Sequence, residues 1–187
     1  MSADHLDLHA PLTLPDVLSR VECSAAIARA EAAGFEAATI VTSGGTARDE
    51  RVRNNSRLIA DDVALASDLW GRVAIHVPRF IGGRQAIGLN ERFRIYRYEP
   101  GQKFSRHQDA PFRRANGEQS LLTFMIYLND DFGGGETAID EFVVAPRTGM
   151  ALLFRHEVVH EGRAVTRGVK YVLRSDVMFN PVGRISG

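Results

Sequence analysis

His107 and Asp109, separated only by Gln108, are the residues whose types and spacing most directly suggest chemistry. On an extended strand residues i and i+2 point to the same face, so one imidazole and one carboxylate can meet a single ion from one strand. A third donor has to come from another segment. His160 lies beyond the apolar run at 150–154, where an antiparallel return brings it near. Two imidazoles and one carboxylate on one face of an octahedron leave three positions open. That set suits non-haem Fe(II), which must also receive a cosubstrate and dioxygen. His156 competes with His160, because the two would share a face on one continuous strand unless a bulge or turn intervenes. His5 and His9, at the N-terminus, and His76, at a helix end, are set aside.

His160 is preferred because of Lys170, which follows it and opens an alternating stretch. Alternation places Lys170, Val172, Arg174 and Asp176 on one face. A cation facing a core is costly unless paired, and a bound dicarboxylate would supply the missing anion. Arg174 has two readings: a second contact to that carboxylate, or a partner for Asp176. A metal needs neutral imidazoles and an ionised Asp109, so activity should fall in acid.

These residues need a scaffold that gathers distant segments. From Arg92 onward the chain reads as short strands at 92–98, 104–109, 119–128, 136–139, 142–144, 150–154 and 170–179. Turn chemistry separates them, at Pro100-Gly101, Asn116-Gly117, Gly133-Gly134-Gly135, 146–149 and Gly168. Such a pattern indicates a sandwich, barrel or jelly roll. The N-terminal part reads as mainly helical. Pro15 opens a short segment at 16–21, and Ser24 is the expected N-cap of a helix at 25–33 that Gly34 stops. Asp61 or Asp62 begins a second helix reaching Val73, with Val63, Leu65, Ala66, Leu69 and Trp70 on its apolar face. Residues 35–42 suit a strand and 43–53 a mobile loop. The fold class expected is α+β: helical support over 1–90 and a β core over 91–180, in a single domain 1–187 with no linker-like composition between the parts.

Composition narrows the function. A chain of 187 residues can bury one core. Lys+Arg and Asp+Glu both number 23, and this balance weighs against a nucleic-acid partner. No apolar run is long enough to span a bilayer, and the N-terminus lacks a basic segment followed by an apolar one. The single cysteine, Cys23, excludes an intrachain disulfide and fits a reducing compartment. The expected location is the cytoplasm, with no membrane partner.

Several blocks occur in a recognisable order: Tyr96-Arg97-Tyr98-Glu99-Pro100-Gly101-Gln102, His107-Gln108-Asp109, Tyr127-Leu128-Asn129, Gly134-Gly135-Glu136-Thr137, His160-Glu161-Gly162 and Gly168-Val169-Lys170-Tyr171-Val172-Leu173-Arg174. Over 92–179 the chain resembles the prolyl 4-hydroxylase-like group of Fe(II)- and 2-oxoglutarate-dependent oxygenases. Weaker blocks near Glu22-Cys23-Ser24 and 53–57 extend the resemblance over nearly the whole chain. It implies a double-stranded β-helix (jelly roll) with N-terminal supporting helices. It also implies that His107, Asp109 and His160 hold Fe(II), and that Lys170 binds the distal carboxylate of 2-oxoglutarate. Tyr98 and Tyr127 would wall the pocket, Tyr127 hydrogen-bonding that carboxylate, and Thr137 would line it. Related halogenases carry a small residue in place of the metal-site carboxylate. Asp109 is present, which favours hydroxylation.

The implied reaction is a dioxygenase reaction. It hydroxylates a C–H bond of a peptidyl (prolyl) or free amino-acid-like substrate and releases succinate and CO2, with ascorbate as a stimulant. The partners would be 2-oxoglutarate, dioxygen and a peptide or small molecule. Two other readings stand beside it: a cupin-type metal enzyme that does not use 2-oxoglutarate, and a non-catalytic jelly-roll binding module. If Tyr98 faces the pocket, alternation turns Tyr96 and Arg94 the same way, making them candidate substrate contacts. Basic loops at 48–57 and Phe112-Arg113-Arg114 could act as lids favouring acidic or carboxylate groups.

Overall fold

Lys170–Phe179 is the longest strand and joins two halves of a large antiparallel sheet. The structure, a computed structural model, describes residues 10–38, 40–42, 45–47 and 51–181. On one side Lys170–Phe179 pairs with Gln119–Tyr127, which pairs in turn with Ala151–Arg155 and then Leu12–Leu14. On the other side it pairs with Arg92–Tyr98 and Arg84–Leu89, and beyond Arg92–Tyr98 lie Ser56–Asp61 and Glu36–Ala37. A smaller antiparallel sheet runs in the order Phe142–Val144, Thr137–Ile139, His160–Gly162, Phe104–His107. The arrangement is the jelly roll that the resemblance implies, one of the three architectures the strand pattern left open.

Alternation explains the packing. On Gln119–Tyr127, Leu122, Phe124 and Ile126 enter one buried cluster, which also holds Leu69 and Val73 from the helical side and Leu173 and Phe179 from Lys170–Phe179. Tyr127, with Met125 packed against it, belongs to a second cluster with Tyr96, Tyr98, Ile139, Phe154 and Val172. On Lys170–Phe179, likewise, Leu173 faces the first cluster and Val172 the second. Each fully buried apolar side chain contributes about 1.5–3 kcal/mol, so a one-residue slip would invert both layers at a large cost.

The first helix is Arg20–Ala33, beginning earlier than the helix expected at 25–33. Its N-cap is Ser19, not Ser24: the Ser19 hydroxyl accepts the Glu22 N–H at 3.2 Å and the Glu22 carboxylate accepts the Ser19 N–H at 2.7 Å. This reciprocal capping box takes up the end of the short segment read at 16–21, whose residues 16–18 form a turn instead. Val63–Val73 starts as expected, with Asp62 accepting the Leu65 N–H at 2.8 Å. Ala66, Leu69 and Val73 face the core, whereas Val63 is exposed.

Among the described residues, the stretch 10–90 is not mainly helical. Leu12–Leu14, Ser56–Asp61 and Arg84–Leu89 are strands of the large sheet. Their backbones satisfy the sheet's edges, and this pairing outweighs their weak alternation. The strand expected at 35–42 is broken into Glu36–Ala37 and Ile40–Thr42, and Gly45–Ala47 pairs with the latter. Of the loop expected at 43–53, residues 43–44 and 48–50 lie outside the described residues, as do His5 and His9. Among the described residues no helix is long and apolar enough to cross a membrane.

Candidate metal and cosubstrate site

His107 ends the strand Phe104–His107 and is the direct cross-strand partner of His160. Their ring centroids are 4.2 Å apart. The strand stops at His107 rather than at 109, so Asp109 is not aimed by strand alternation. Its N–H donates instead to the His156 carbonyl at 3.0 Å. Asp109 Oδ1 lies 3.6 Å from His107 Nε2, and Oδ2 lies 3.5 Å from His160 Nε2. One donor atom from each of the three residues falls within 4.8 Å of the others.

Both rings are oriented from behind. His107 Nδ1–H donates to the Ser105 carbonyl at 2.9 Å, and His160 Nδ1–H to the Val158 carbonyl at 3.0 Å. A carbonyl only accepts, so each ring is the Nδ1–H tautomer and offers an Nε2 lone pair. Phe104 stacks on His107 at 3.5 Å, and the Phe154 edge meets His160 at 4.5 Å. Burial pushes the His160 pKa down to about 4 against the pull of Asp109, so the ring is the neutral imidazole a metal requires.

Burial raises the Asp109 pKa, but the Arg174 guanidinium, together with the hydrogen bond from Thr123, holds the carboxyl well below the usual range. Arg174 Nη2 is 2.9 Å from Asp109 Oδ2, and Thr123 Oγ1 donates to the same oxygen at 2.5 Å. His156 sits in a turn after Ala151–Arg155, outside the triad. Its ring is engaged by Ser120 Oγ at 2.8 Å and Thr123 Oγ1 at 3.0 Å. That turn removes the ambiguity between His156 and His160.

Lys170 lies in the same cavity as the triad, together with Tyr98, Thr137, Val172 and Arg174. It is 3% exposed, and its ammonium donates to the Gly135 carbonyl at 2.6 Å. Among the described residues it has no ion pair, and burial pushes its pKa down to about 7. Tyr127 is fully buried and donates its hydroxyl to Thr137 Oγ1 at 2.7 Å, so it reaches the cavity through Thr137 rather than directly. Both Tyr98 and Tyr127 flank the ammonium, with ring centroids 5.4 Å from Nζ.

Arg174 does partner Asp176, one of its two readings, but it also engages Asp109. Besides Asp109 it reaches Asp176 at 3.4 Å, bridging the two carboxylates, and it is not set beside Lys170. Tyr96 lines the cavity. Arg94, on the same strand, does not line it; its Nη1 is 3.6 Å from Asp176 Oδ2. The expected lids are also revised. Ser56–Asp61 is a strand, and Arg53 is buried. Arg114 is tied to Glu118 and Glu91, fastening its loop to the sheet. Sequence reasoning missed Thr123, Met125, Phe104, Phe154 and Arg53. Thr123 and Met125 alternate with the apolar positions of their strand, a usable signal; Arg53 had none.

On this jelly roll two histidines and one aspartate come close enough together to hold a single metal ion. Residues 93–175 match the family model of the 2OG-Fe(II) oxygenase superfamily. A probable prolyl 4-hydroxylase 3 of Arabidopsis thaliana is 30% identical over 125 residues, an alignment covering 64% of this chain and 42% of the plant protein. A prolyl-4-hydroxylase structure from Pseudomonas putida superimposes with a TM-score of 0.69 at 22% identity, covering 94% of this chain and 96% of the other. The Trichoplax adhaerens prolyl hydroxylase, in complex with a hypoxia-inducible-factor peptide fragment, gives 0.72 at 17% identity, covering 94% and 86%. Over residues 93–175 the chain is thus similar to the 2OG-Fe(II) oxygenase superfamily, and the proteins it resembles include prolyl 4-hydroxylases; it spans less than half the length of the plant relative.

Proposed function

We propose that the protein is an Fe(II)- and 2-oxoglutarate-dependent dioxygenase that hydroxylates a C–H bond of a peptidyl (prolyl) or free amino-acid-like substrate. Succinate and CO2 would be the coproducts. The observation that carries this reading is a buried ammonium, Lys170, without an ion pair among the described residues, in the same cavity as the His107–Asp109–His160 triad. The donor set fits Fe(II), with neutral nitrogens, one carboxylate and a facial arrangement. The unpaired ammonium fits the distal carboxylate of the cosubstrate.

Bound iron would supply dioxygen activation coupled to oxidative decarboxylation of 2-oxoglutarate. The chain does the rest. His107 and His160 present Nε2, with their Nδ1–H groups anchored on carbonyls. Asp109 is kept ionised and oriented by Arg174 and Thr123. Lys170 fixes the cosubstrate's far end, Tyr98 and Thr137 shape the wall around it, and Phe104 and Phe154 exclude water from the imidazoles.

The test is anaerobic visible spectroscopy of Fe(II)-loaded protein with 2-oxoglutarate. A weak metal-to-ligand charge-transfer band is expected, lost in His160→Ala and weakened in Lys170→Ala. No band from folded, iron-loaded protein would overturn the cosubstrate assignment.

A further inference from the structure

Four buried side-chain nitrogen or oxygen atoms lack a hydrogen-bond partner among the described residues: Arg53 Nη2, Asn90 Nδ2, Arg94 Nη1 and Arg174 Nε. All four are donors, and three belong to guanidiniums. An unpartnered buried donor costs about 1–3 kcal/mol, and more when charged, so such a concentration calls for an acceptor.

The three guanidiniums surround one side chain. The Arg53 guanidinium carbon lies 4.3 Å from the Tyr96 ring centroid and 4.3 Å from that of Phe104, sandwiched between two residues of the cavity wall. Its Nε donates to Asn55 Oδ1 at 2.7 Å, and the residue is 5% exposed, so its position is preset. Arg174 Nη1 is 3.4 Å from the Tyr96 hydroxyl, and Arg94 is the cross-strand partner of Arg174. Burial raises the Tyr96 pKa, but Arg174, Arg53 and Arg94 together pull it down to about 8.

Charge balance points the same way. Asp176 is shared, 3.6 Å from Arg94 and 3.4 Å from Arg174. Asp109 is the other carboxylate in contact, and a metal would claim it. Three cations then share one anion in a buried space. Water could satisfy the N–H groups but would leave that charge uncompensated.

The cosubstrate lies elsewhere on the sheet. Lys170 pairs with Tyr98, and Arg174 with Arg94. Four residues of strand separate the two cations, roughly 13 Å along the chain. The cavity therefore has two cationic ends on either side of Val172.

We propose that the arginine end, where Arg174 lines the cavity beside Tyr96 and Arg53 and Arg94 stand behind that wall, receives a free carboxylate of the primary substrate. This rests on the oxygenase reading and narrows it to a free amino-acid-like acid rather than an internal residue of a peptide. An acidic side chain on a peptide offers the same chemistry, so the test separates the two sources.

The experiment is calorimetric titration of anaerobic protein saturated with Fe(II) and 2-oxoglutarate. The probes are the free L-amino acids, the same compounds as α-carboxamides, and capped proline peptides carrying Glu or Gln beside the proline. At least one free amino acid should bind, and its amide should bind more weakly by about tenfold or more, the scale of a lost charge-assisted hydrogen bond. Arg53→Met and Arg94→Met, which remove positive charge behind the wall, should each weaken that preference without changing 2-oxoglutarate affinity. Arg53→Lys, which keeps the charge, should retain more of it. The acid–amide comparison on the unaltered protein needs no variant to fold. The proposal is overturned if no acid binds or amides bind equally well, if only the Glu peptide is preferred, or if the arginine variants weaken 2-oxoglutarate instead. Failure of 2-oxoglutarate to bind the unaltered protein would overturn the oxygenase reading itself, a distinct result.

Discussion

Arg174 Nη2 stands 2.9 Å from Asp109 Oδ2, on the very carboxylate a metal ion would take. Both side chains are largely buried. Removing one partner of a buried pair typically costs about 3–5 kcal/mol, because the other charge is left uncompensated. Arg174→Met should therefore lower the melting temperature of the metal-free protein. A divalent ion can replace the lost counter-charge, so the stabilisation on adding Mn(II) should exceed that of the unaltered protein. Thermal unfolding with and without metal decides this; equal metal-induced shifts would show that Arg174 does not compete for Asp109.

Thr123→Val removes the hydroxyl that donates to Asp109 Oδ2 and contacts the His156 ring while keeping the side-chain shape. Groups that orient a ligand from behind typically matter by about 10–100-fold in metal affinity or activity. Metal affinity should fall within that range while far-ultraviolet circular dichroism is unchanged. Competition with a metal indicator measures it, and an unaltered constant would assign the carboxylate's orientation to Arg174 alone.

Lys170 gives a pH dependence whose sign can be worked out. Its folded pKa is lowered by burial to about 7. Above that value the folded, ligand-free protein has released a proton that the unfolded chain still holds. Ligand-free stability from this group thus rises with pH through the window from about 7 to the ordinary lysine value, and the buried ammonium is a cost below about 7. A dicarboxylate needs the ammonium, so binding above about 7 takes up a proton. Affinity for 2-oxoglutarate should weaken towards tenfold per pH unit above about 7. Calorimetry in buffers of different ionisation heat should register the uptake, and Lys170→Met should abolish it.

Gly135→Ala tests how closely the lysine cradle is fitted. Gly135 has φ +71°, and an added Cβ would stand 2.9 Å from Phe132 and 3.2 Å from Lys170 Cδ. Its carbonyl is also the acceptor of the Lys170 ammonium. A side chain in this backbone region costs about 1–3 kcal/mol. The variant should melt lower and bind 2-oxoglutarate more weakly while metal affinity stays near normal. An equal loss of both affinities would mean that the fold, not the cradle, was disturbed.

Much of the β core was legible in the sequence. The strands read at 92–98, 142–144 and 170–179 coincide with those found, because turn residues bound them and alternation sets their faces. The same alternation grouped Lys170, Val172 and Arg174, and the triad's members were readable from ligand types. What escaped was tertiary. Ser56–Asp61 has no residue in the core and exists because Arg92–Tyr98 offers it a ladder. Arg53 sits between Tyr96 and Phe104 only because distant segments meet there. The capping box at Ser19 and Glu22 was present in the sequence, yet the cap was read at Ser24, one residue before the alanine-rich run.

The central place of Lys170–Phe179 bears on how the protein comes into being. Gln119–Tyr127 and Arg92–Tyr98 are each bonded to this strand, not to one another. Tyr98 meets Lys170 and Tyr127 meets Val172, across long stretches of chain whose loop-closure entropy must be overcome before the contacts form. A growing chain still on the ribosome, with His160 just emerged, has all three metal donors but no floor beneath them. The sheet that seats Arg174 against Asp109 and turns Lys170 inward closes only when the last strand docks. Metal centre and cosubstrate cradle are therefore completed in one step, when Lys170–Phe179 docks between its two neighbours.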